Sequence, residues 1–274
     1  MIYTLGPEGT FSDKAAAAVA NHTGDDSPRA FLSDLSSVFA KTLEDGDALG
    51  VIPVENSVAG TVHVVQDLLI RQPVWITHEV RVPVAFKMLV RGALKAVRRV
   101  FVHPVAERQC GESLRRYVPD AALVFTDSNT DSAARLFATD EQDVAAVVPL
   151  DYREAPARAV RSVALQTAAD NATRFIAIKR PPLQLRPDFT REKISMLITP
   201  RANQPGVLYE ILGSFQRHGM NLTRIESRPA TGPWEYVFLL DATITAGASL
   251  AWAELSAGSW DVRLLGCYSI LRLP

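Results

Sequence analysis

The sequence predicts an α/β chain in two parts, a long region of alternating strands and helices followed by a small βαββαβ unit, and three observations lead there. From Ile2 to Ile178, short apolar runs rich in β-branched residues alternate with helically spaced apolar positions, the pattern of strands joined by crossover helices. Arg180-Pro181-Pro182-Leu183-Gln184-Leu185-Arg186-Pro187-Asp188 is proline-rich and aperiodic, which marks a linker. Beyond it the strand and helix patterns follow the split βαβ, ferredoxin-like order. A length of 274 residues suits about two domains.

Taken in order, Ile2–Leu5 reads as a first strand and Gly6-Pro7-Glu8-Gly9-Thr10-Phe11 as a turn, with Ser12 as N-cap of an alanine-rich helix from Asp13 to about Asn21. The glycines at 6 and 9 suit close approach to a ligand or an ordinary turn. Leu35, Val38, Phe39, Thr42 and Leu43 keep helical spacing behind Ser33-Asp34. Gly50–Val54 is a buried strand, and Val58, Val62, Val65 and Leu69 fall at helical spacing after it. Between them Glu55-Asn56-Ser57 presents a carboxylate, an amide and a hydroxyl at a strand's carboxyl end, where open α/β sheets bind ligands. Ser57 capping a helix and Asn56 shaping a turn explain the same residues.

Extended segments follow at Val74–Ile76, at Val80–Val90 with Pro83 interrupting, and at Arg98–Val102 before His103-Pro104. Cys110, Leu114 and Tyr117 are helically spaced; Ala122–Phe125 is a strand, Asp127–Thr130 leads a short helix, and Val144–Val148 is a further strand. Leu150–Ala168, rich in alanine and arginine, reads as mostly helical. Thr173 and Arg174 sit where a loop enters the strand Ile176–Ile178, and such a pair is ordinarily structural. In the C-terminal unit Ile194, Met196 and Ile198 alternate on a strand, and Val207, Leu208, Ile211, Leu212 and Phe215 stripe a helix. Asn221–Arg228 and Glu235–Asp241 are strands, Ser249–Ala257 a helix, and Val262–Ile270 the last strand.

With 29 basic and 30 acidic residues and no basic run, the chain has no electrostatic footprint for nucleic acid or a membrane surface. No apolar stretch is long enough to span a bilayer, and the N-terminus enters a strand directly, so a cytoplasmic location is expected. Cys110 and Cys267 share no ligand spacing and read as buried structural thiols; the five histidines make no metal motif.

Six stretches together resemble the prephenate dehydratases that carry a C-terminal ACT regulatory domain: Gly6-Pro7-Glu8-Gly9-Thr10-Phe11-Ser12; Pro53-Val54-Glu55-Asn56-Ser57 with Gly60; His103-Pro104 with Gln109-Cys110; Asp170-Asn171 with Thr173-Arg174-Phe175; Pro205-Gly206-Val207-Leu208; and Glu226-Ser227-Arg228-Pro229. They occur in the family's order and span nearly the whole chain. The resemblance implies a two-lobed catalytic region like a type II periplasmic binding protein at 1–180, with one lobe at about 1–76 and 165–180 and the other at about 77–164. A linker at 181–190 and an ACT domain at 191–274 complete the expected plan, without a fused chorismate mutase domain.

By the same resemblance Glu55, Asn56, Ser57, Gln109, Thr173, Arg174 and Phe175 are catalytic, and Gly9, Thr10, Phe11 and Thr130 bind substrate. Gly206, Val207, Leu208, Asn221, Leu222, Glu226, Ser227 and Arg228 are expected to bind the effector phenylalanine. Prephenate is the implied substrate, with no cofactor and no metal, in a homodimer or homotetramer joined through ACT domains. Thr173 is expected to touch the departing oxygen and Arg174 to grip the anionic substrate, with Glu55 as an alternative acid if buried. Arogenate dehydratase and a non-catalytic amino-acid sensor are alternatives. Val102, Val105 and Val207 depart from the family's pattern; the first two remove hydrogen-bonding side chains from the His-Pro loop.

Overall fold

The computed structural model describes residues 1–153, 160–167, 170–230 and 235–273. Its first elements are β1 (Ile2–Leu5), α1 (Phe11–Thr23), β2 (Arg29–Leu32), α2 (Leu35–Glu44), β3 (Leu49–Asn56), β4 (Gly60–Thr61), α3 (His63–Arg71) and β5 (Trp75–Pro83). β1 pairs in parallel with both β2 and β3, with α1 and α2 as crossovers. α2 lies very close to the sheet, because a Cβ on Gly50 would stand 2.4 Å from Thr42 Oγ1 and 3.0 Å from Ile178 Cγ1.

The chain then builds a second sheet from β6 (Phe86–Val90), β7 (Arg99–Val102), β8 (Ala122–Phe125), β9 (Val144–Pro149) and β10 (Arg161–Leu165), in the order β10-β6-β9-β7-β8. α4 (Pro104–Tyr117) and α5 (Asn129–Ala138) lie between its parallel strands. β11 (Ala172–Lys179) returns to the first sheet and inserts antiparallel between β3 and β5.

After the linker come β12 (Lys193–Pro200), α6 (Val207–Arg217), β13 (Leu222–Pro229), β14 (Tyr236–Thr243), α7 (Ala248–Ala257) and β15 (Trp260–Leu271), the expected βαββαβ order. β15 runs parallel to β5, pairing Ser269–Leu271 with His78–Val80, so the C-terminal unit extends the first sheet into ten strands: β13-β14-β12-β15-β5-β11-β3-β1-β2, with β4 on β3. One apolar cluster fills the space between the two halves of this sheet and takes Val54, Leu69, Ile76, Ile176 and Ile178 from one side, and Leu197, Val237, Leu239, Leu265 and Tyr268 from the other.

Several expectations need correction. Thr10, not Ser12, caps α1, and Ser12 is buried in its first turn. Val58 is an exposed turn residue, because Gly60-Thr61 folds back on Glu55-Asn56 and delays α3 to His63. Ser57 therefore caps no helix. β2 carries little apolar signal, being an edge strand paired only with β1. Arg161–Leu165 is a strand and not helix, since the carbonyls and amides of β6 recruit it; 154–159 and Ala168 of that helical reading lie outside the described residues. β5 stays in the first sheet through Pro83, so the crossing between lobes falls near Val84 and not at residue 77.

Candidate active site

The site residues converge because β3 carries a bulge. Phe175 faces Pro53, yet Arg174 faces Glu55 and Thr173 faces Asn56, so β3 has one residue more than β11 at this point. A one-residue slip reverses which sheet face each side chain takes. Without it Glu55 would stand on Thr173's side; with it Asn56 does, and Glu55 joins Arg174 on the opposite face.

Asn56 Nδ2 lies 2.9 Å from Thr173 Oγ1, 3.1 Å from Asn171 Oδ1 and 3.2 Å from the Ala172 carbonyl. Its Oδ1 accepts from the amides of Ala59 (2.7 Å) and Val58 (3.0 Å) and from Gln109 Nε2 (3.3 Å). Gln109 comes from α4 in the second lobe, and its Oε1 accepts from Asn171 Nδ2 at 2.9 Å. Three buried amides thus form a closed ring across the two lobes and leave Asn56 able to present only a fixed N–H to Thr173. The Thr173 hydroxyl accepts that hydrogen bond and donates to no group among the described residues. Ser57 is a local brace: its Oγ accepts from the Ala172 amide at 3.0 Å and donates to the Asp170 carbonyl at 3.3 Å.

Two helix N-termini, one from each lobe, meet each other. Thr10 caps α1 and Ser128 caps α5, and the two ends meet where Thr130 Cγ2 lies 3.7 Å from the position a Gly9 Cβ would occupy. Gly9 has φ +81°, and its amide donates to Asp13 Oδ2 at 2.9 Å. Phe11 packs into the cores of both lobes and meets Phe86 edge-on at 5.7 Å. His103 caps α4, and burial, with Arg108, holds its imidazole below the ordinary range. These ends supply unpaired amides and partial positive charge for an anion. Gln109 also lines a groove of about 450 Å³ with Val58, Arg108, Ser113, Gln166 and Thr167.

Three expected members of the catalytic set lie elsewhere. Phe175 is buried in the core beneath α1 with Val19, Val51 and Val80. Arg174 points away from Thr173, as alternation along β11 requires, and its guanidinium pairs with Asp241 (2.8 Å) and Glu79 (3.2 Å). Glu55 does not meet the condition of burial: its side chain is 42% exposed, 3.6 Å from Arg174. Burial pushes the Cys110 thiol up to about 12 and the Cys267 thiol up to about 11, so neither is a nucleophile at neutral pH. No cluster of metal-ligating side chains occurs among the described residues.

Asn171 was missed as a member of the site. Its signal was the Asp-Asn pair in front of Thr-Arg-Phe, where Asp170 adopts φ +58° and turns Asn171 inward. The anions around Arg174 were missed as well, although a lone Glu79 or Asp241 within an apolar strand is itself a signal, because unpaired carboxylates are rarely buried.

The expected effector residues do not form one pocket within a single chain. Gly206, at φ +90°, opens α6 with Val207 and Leu208, whereas Asn221 and Leu222 follow its far end, about 16 Å away along an 11-residue helix. Glu226 accepts from Thr61 Oγ1 at 3.2 Å, and Arg228 reaches Asp67 of α3 at 2.7 Å, so both face β4 and α3; Ser227 is exposed.

The prephenate dehydratase family model matches residues 2–183. The bifunctional chorismate mutase/prephenate dehydratase of Stutzerimonas stutzeri is 32% identical over 240 residues, covering 86% of this chain and 63% of its own length, so the chain spans less than two thirds of that relative. The prephenate dehydratase structure from Staphylococcus aureus has 28% identity and a TM-score of 0.81 over 98% of this chain and 99% of its own. That from Arthrobacter aurescens in complex with L-Phe has 29% identity and a TM-score of 0.80 over 98% and 90%. With more than half of its length matched by the family model, the chain belongs to the prephenate dehydratase family.

Proposed function

We propose that the chain converts prephenate to phenylpyruvate, water and carbon dioxide in phenylalanine biosynthesis in the cytoplasm. The observation that carries this reading is a threonine hydroxyl held by an amide ring that joins the two lobes. The reaction breaks the ring C–O bond and the bond from the ring to its carboxylate. The electron pair released with carbon dioxide completes the aromatic ring, and the departing hydroxide takes up one proton to leave as water. No base is required, because decarboxylation supplies the electrons. The site must instead stabilise the leaving oxygen and hold the substrate's carboxylates.

Thr173 offers its free proton to that oxygen, with Asn56 fixing the hydroxyl. Threonine is too weak an acid to release the proton unaided, so it orients or relays one. The amides opening α1, α4 and α5 suit the carboxylates, and Gly9, Thr10, Phe11 and Thr130 stand at the ends of α1 and α5. Arg174, Phe175 and Glu55 act from behind, through the strands that carry Thr173 and Asn56.

The 191–274 unit we take as an ACT regulatory domain that binds phenylalanine, supported by the L-Phe complex of the Arthrobacter aurescens relative. β13 is the outer strand of the sheet, and its free edge suits pairing with a second copy. Such a homo-oligomer would bring Gly206–Leu208 of one chain toward the β13 segment of another. The test is to incubate purified protein with prephenate or arogenate, with and without phenylalanine, and to follow phenylpyruvate and phenylalanine formation. Phenylpyruvate formation slowed by phenylalanine is the expected result. No product from prephenate overturns the assignment, and a higher kcat/KM on arogenate moves it to that substrate.

A further inference from the structure

Behind Thr173 lies a buried group of charges that the proposed chemistry does not use. Arg174 Nη1 is 2.8 Å from Asp241 Oδ2 and 3.2 Å from Glu79 Oε2. Glu79 also accepts from Lys193 Nζ at 2.8 Å, and Asp241 Oδ1 accepts from Ser195 Oγ at 2.6 Å, whose oxygen is 2.7 Å from Tyr268 Oη. Glu79 and Arg174 belong to the catalytic strands β5 and β11; Lys193, Ser195, Asp241 and Tyr268 belong to β12, β14 and β15. Burial pushes the Asp241 carboxyl up, but Arg174, Arg224 and Lys193 outweigh it and hold the carboxyl below its ordinary value. The pair is therefore charged on both sides, and breaking either half leaves a buried ion unpaired.

Two features make this group suited to movement. First, the ladders around it lose register there: β11 against β3 between Arg174 and Phe175, β12 against β15 between Ser195 and Met196, and β13 against β14 between Leu222 and Arg224. Bulges are where a strand is re-aimed. Second, a cavity of about 10 Å³, the size of one water, lies among Arg174, Ser195, Arg224, Asp241 and Tyr268. Arg174 Nε and Arg224 Nη2 are buried beside it without a hydrogen-bond partner among the described residues. The group also reaches the regulatory strand, since Arg224 lies directly across from Asp241, two residues before Glu226.

We propose that the Arg174–Asp241 ion pair is the strut through which the C-terminal unit sets the position of Thr173, so that an effector bound to that unit is felt at the catalytic hydroxyl. The inference rests on the dehydratase and phenylalanine-binding reading above and names the route of its regulation. Thr173 and Arg174 are neighbours on one strand, one held by Asn56 on the cleft side and the other by Asp241 on the regulatory side. A shift of β14 therefore pulls on the backbone that carries the hydroxyl. A second link from β13, Glu226 to Thr61, ends at β4 and makes a rival route.

The test uses the full chain and measures phenylalanine binding by calorimetry beside phenylalanine inhibition of prephenate turnover. Asp241→Asn should bind phenylalanine within about threefold of the parent, yet at saturating phenylalanine it should keep most of its prephenate turnover where the parent loses most of it. Asp241→Glu should restore part of the response, and Thr61→Val should leave it intact. If Asp241→Asn does not fold by circular dichroism, the double variant Arg174→Gln with Asp241→Asn removes both charges while keeping the Glu79–Lys193 pair, and it should show the same uncoupling. Variants that bind and respond as the parent does overturn the strut alone, as does loss of response in Thr61→Val with none in Asp241→Asn. A parent that turns over prephenate but ignores phenylalanine overturns the strut together with the regulatory reading, and a parent inactive on prephenate overturns both with the dehydratase assignment.

Discussion

At Thr173, a single hydroxyl with its acceptor side filled by Asn56 is left to donate, and its removal should show in kcat before KM. Thr173→Val should lower kcat on prephenate about 100-fold or more, a loss of roughly 3 kcal/mol of transition-state stabilisation, while Thr173→Ser retains most of it. Steady-state kinetics on both variants decides the point, and near-normal kcat in the valine variant would remove Thr173 from the chemistry. Glu55→Gln should leave kcat and its pH profile within a few-fold of the parent, because the carboxylate is half-exposed and turned toward Arg174. The sequence made Asn56, Gln109 and Thr173 legible by residue type and order. It could not separate Thr173 from Arg174 and Phe175, or Asn56 from Glu55. Which residue of β3 faces the cleft depends on the extra residue there, and the one sign of that bulge was Pro53, a proline inside a central strand.

Among the elements, the helices that frame the cleft depend on their first residues. Ser128 Oγ accepts from the Asp131 amide at 3.0 Å, and Ser128→Ala should cost about 1 kcal/mol. For a chain of this size that is a thermal midpoint about 2–4 °C lower, readable by calorimetry. Gly50→Ala should cost more, about 1–3 kcal/mol, because the new methyl group meets Thr42 and Ile178 and forces α2 off the sheet. A urea midpoint unchanged from the parent would contradict that packing. Elements with a strong apolar period, such as β1, α2, β9 and the C-terminal βαββαβ series, were readable from the sequence. β2 and β10 were not, since an edge strand is recruited by its neighbour's backbone and needs little apolar character of its own.

On the scale of the whole molecule, acid should weaken the fold in two stages. Burial, with Arg108 for His103 and with His22, Arg191 and Lys179 for His78, lowers both imidazoles below their ordinary value. The unfolded chain then binds more protons than the folded one below about pH 6.5, so stability is full above that pH and falls as pH drops toward the lowered values. Asp241, also lowered, adds a second loss only below the ordinary carboxylate range. Urea midpoints should therefore be lower at about pH 5.5 than at about pH 7.5, and His78→Asn should flatten the difference. The seam between β5 and β15 carries a wider consequence. Cutting the gene after the linker, the usual way to free an enzyme from its inhibitor, would bare the flank of β5 and strand Glu79 and Arg174 without Lys193 and Asp241. If the C-terminal unit is the sensor proposed above, desensitised forms are to be sought by point substitution, because the two units share one piece of cloth.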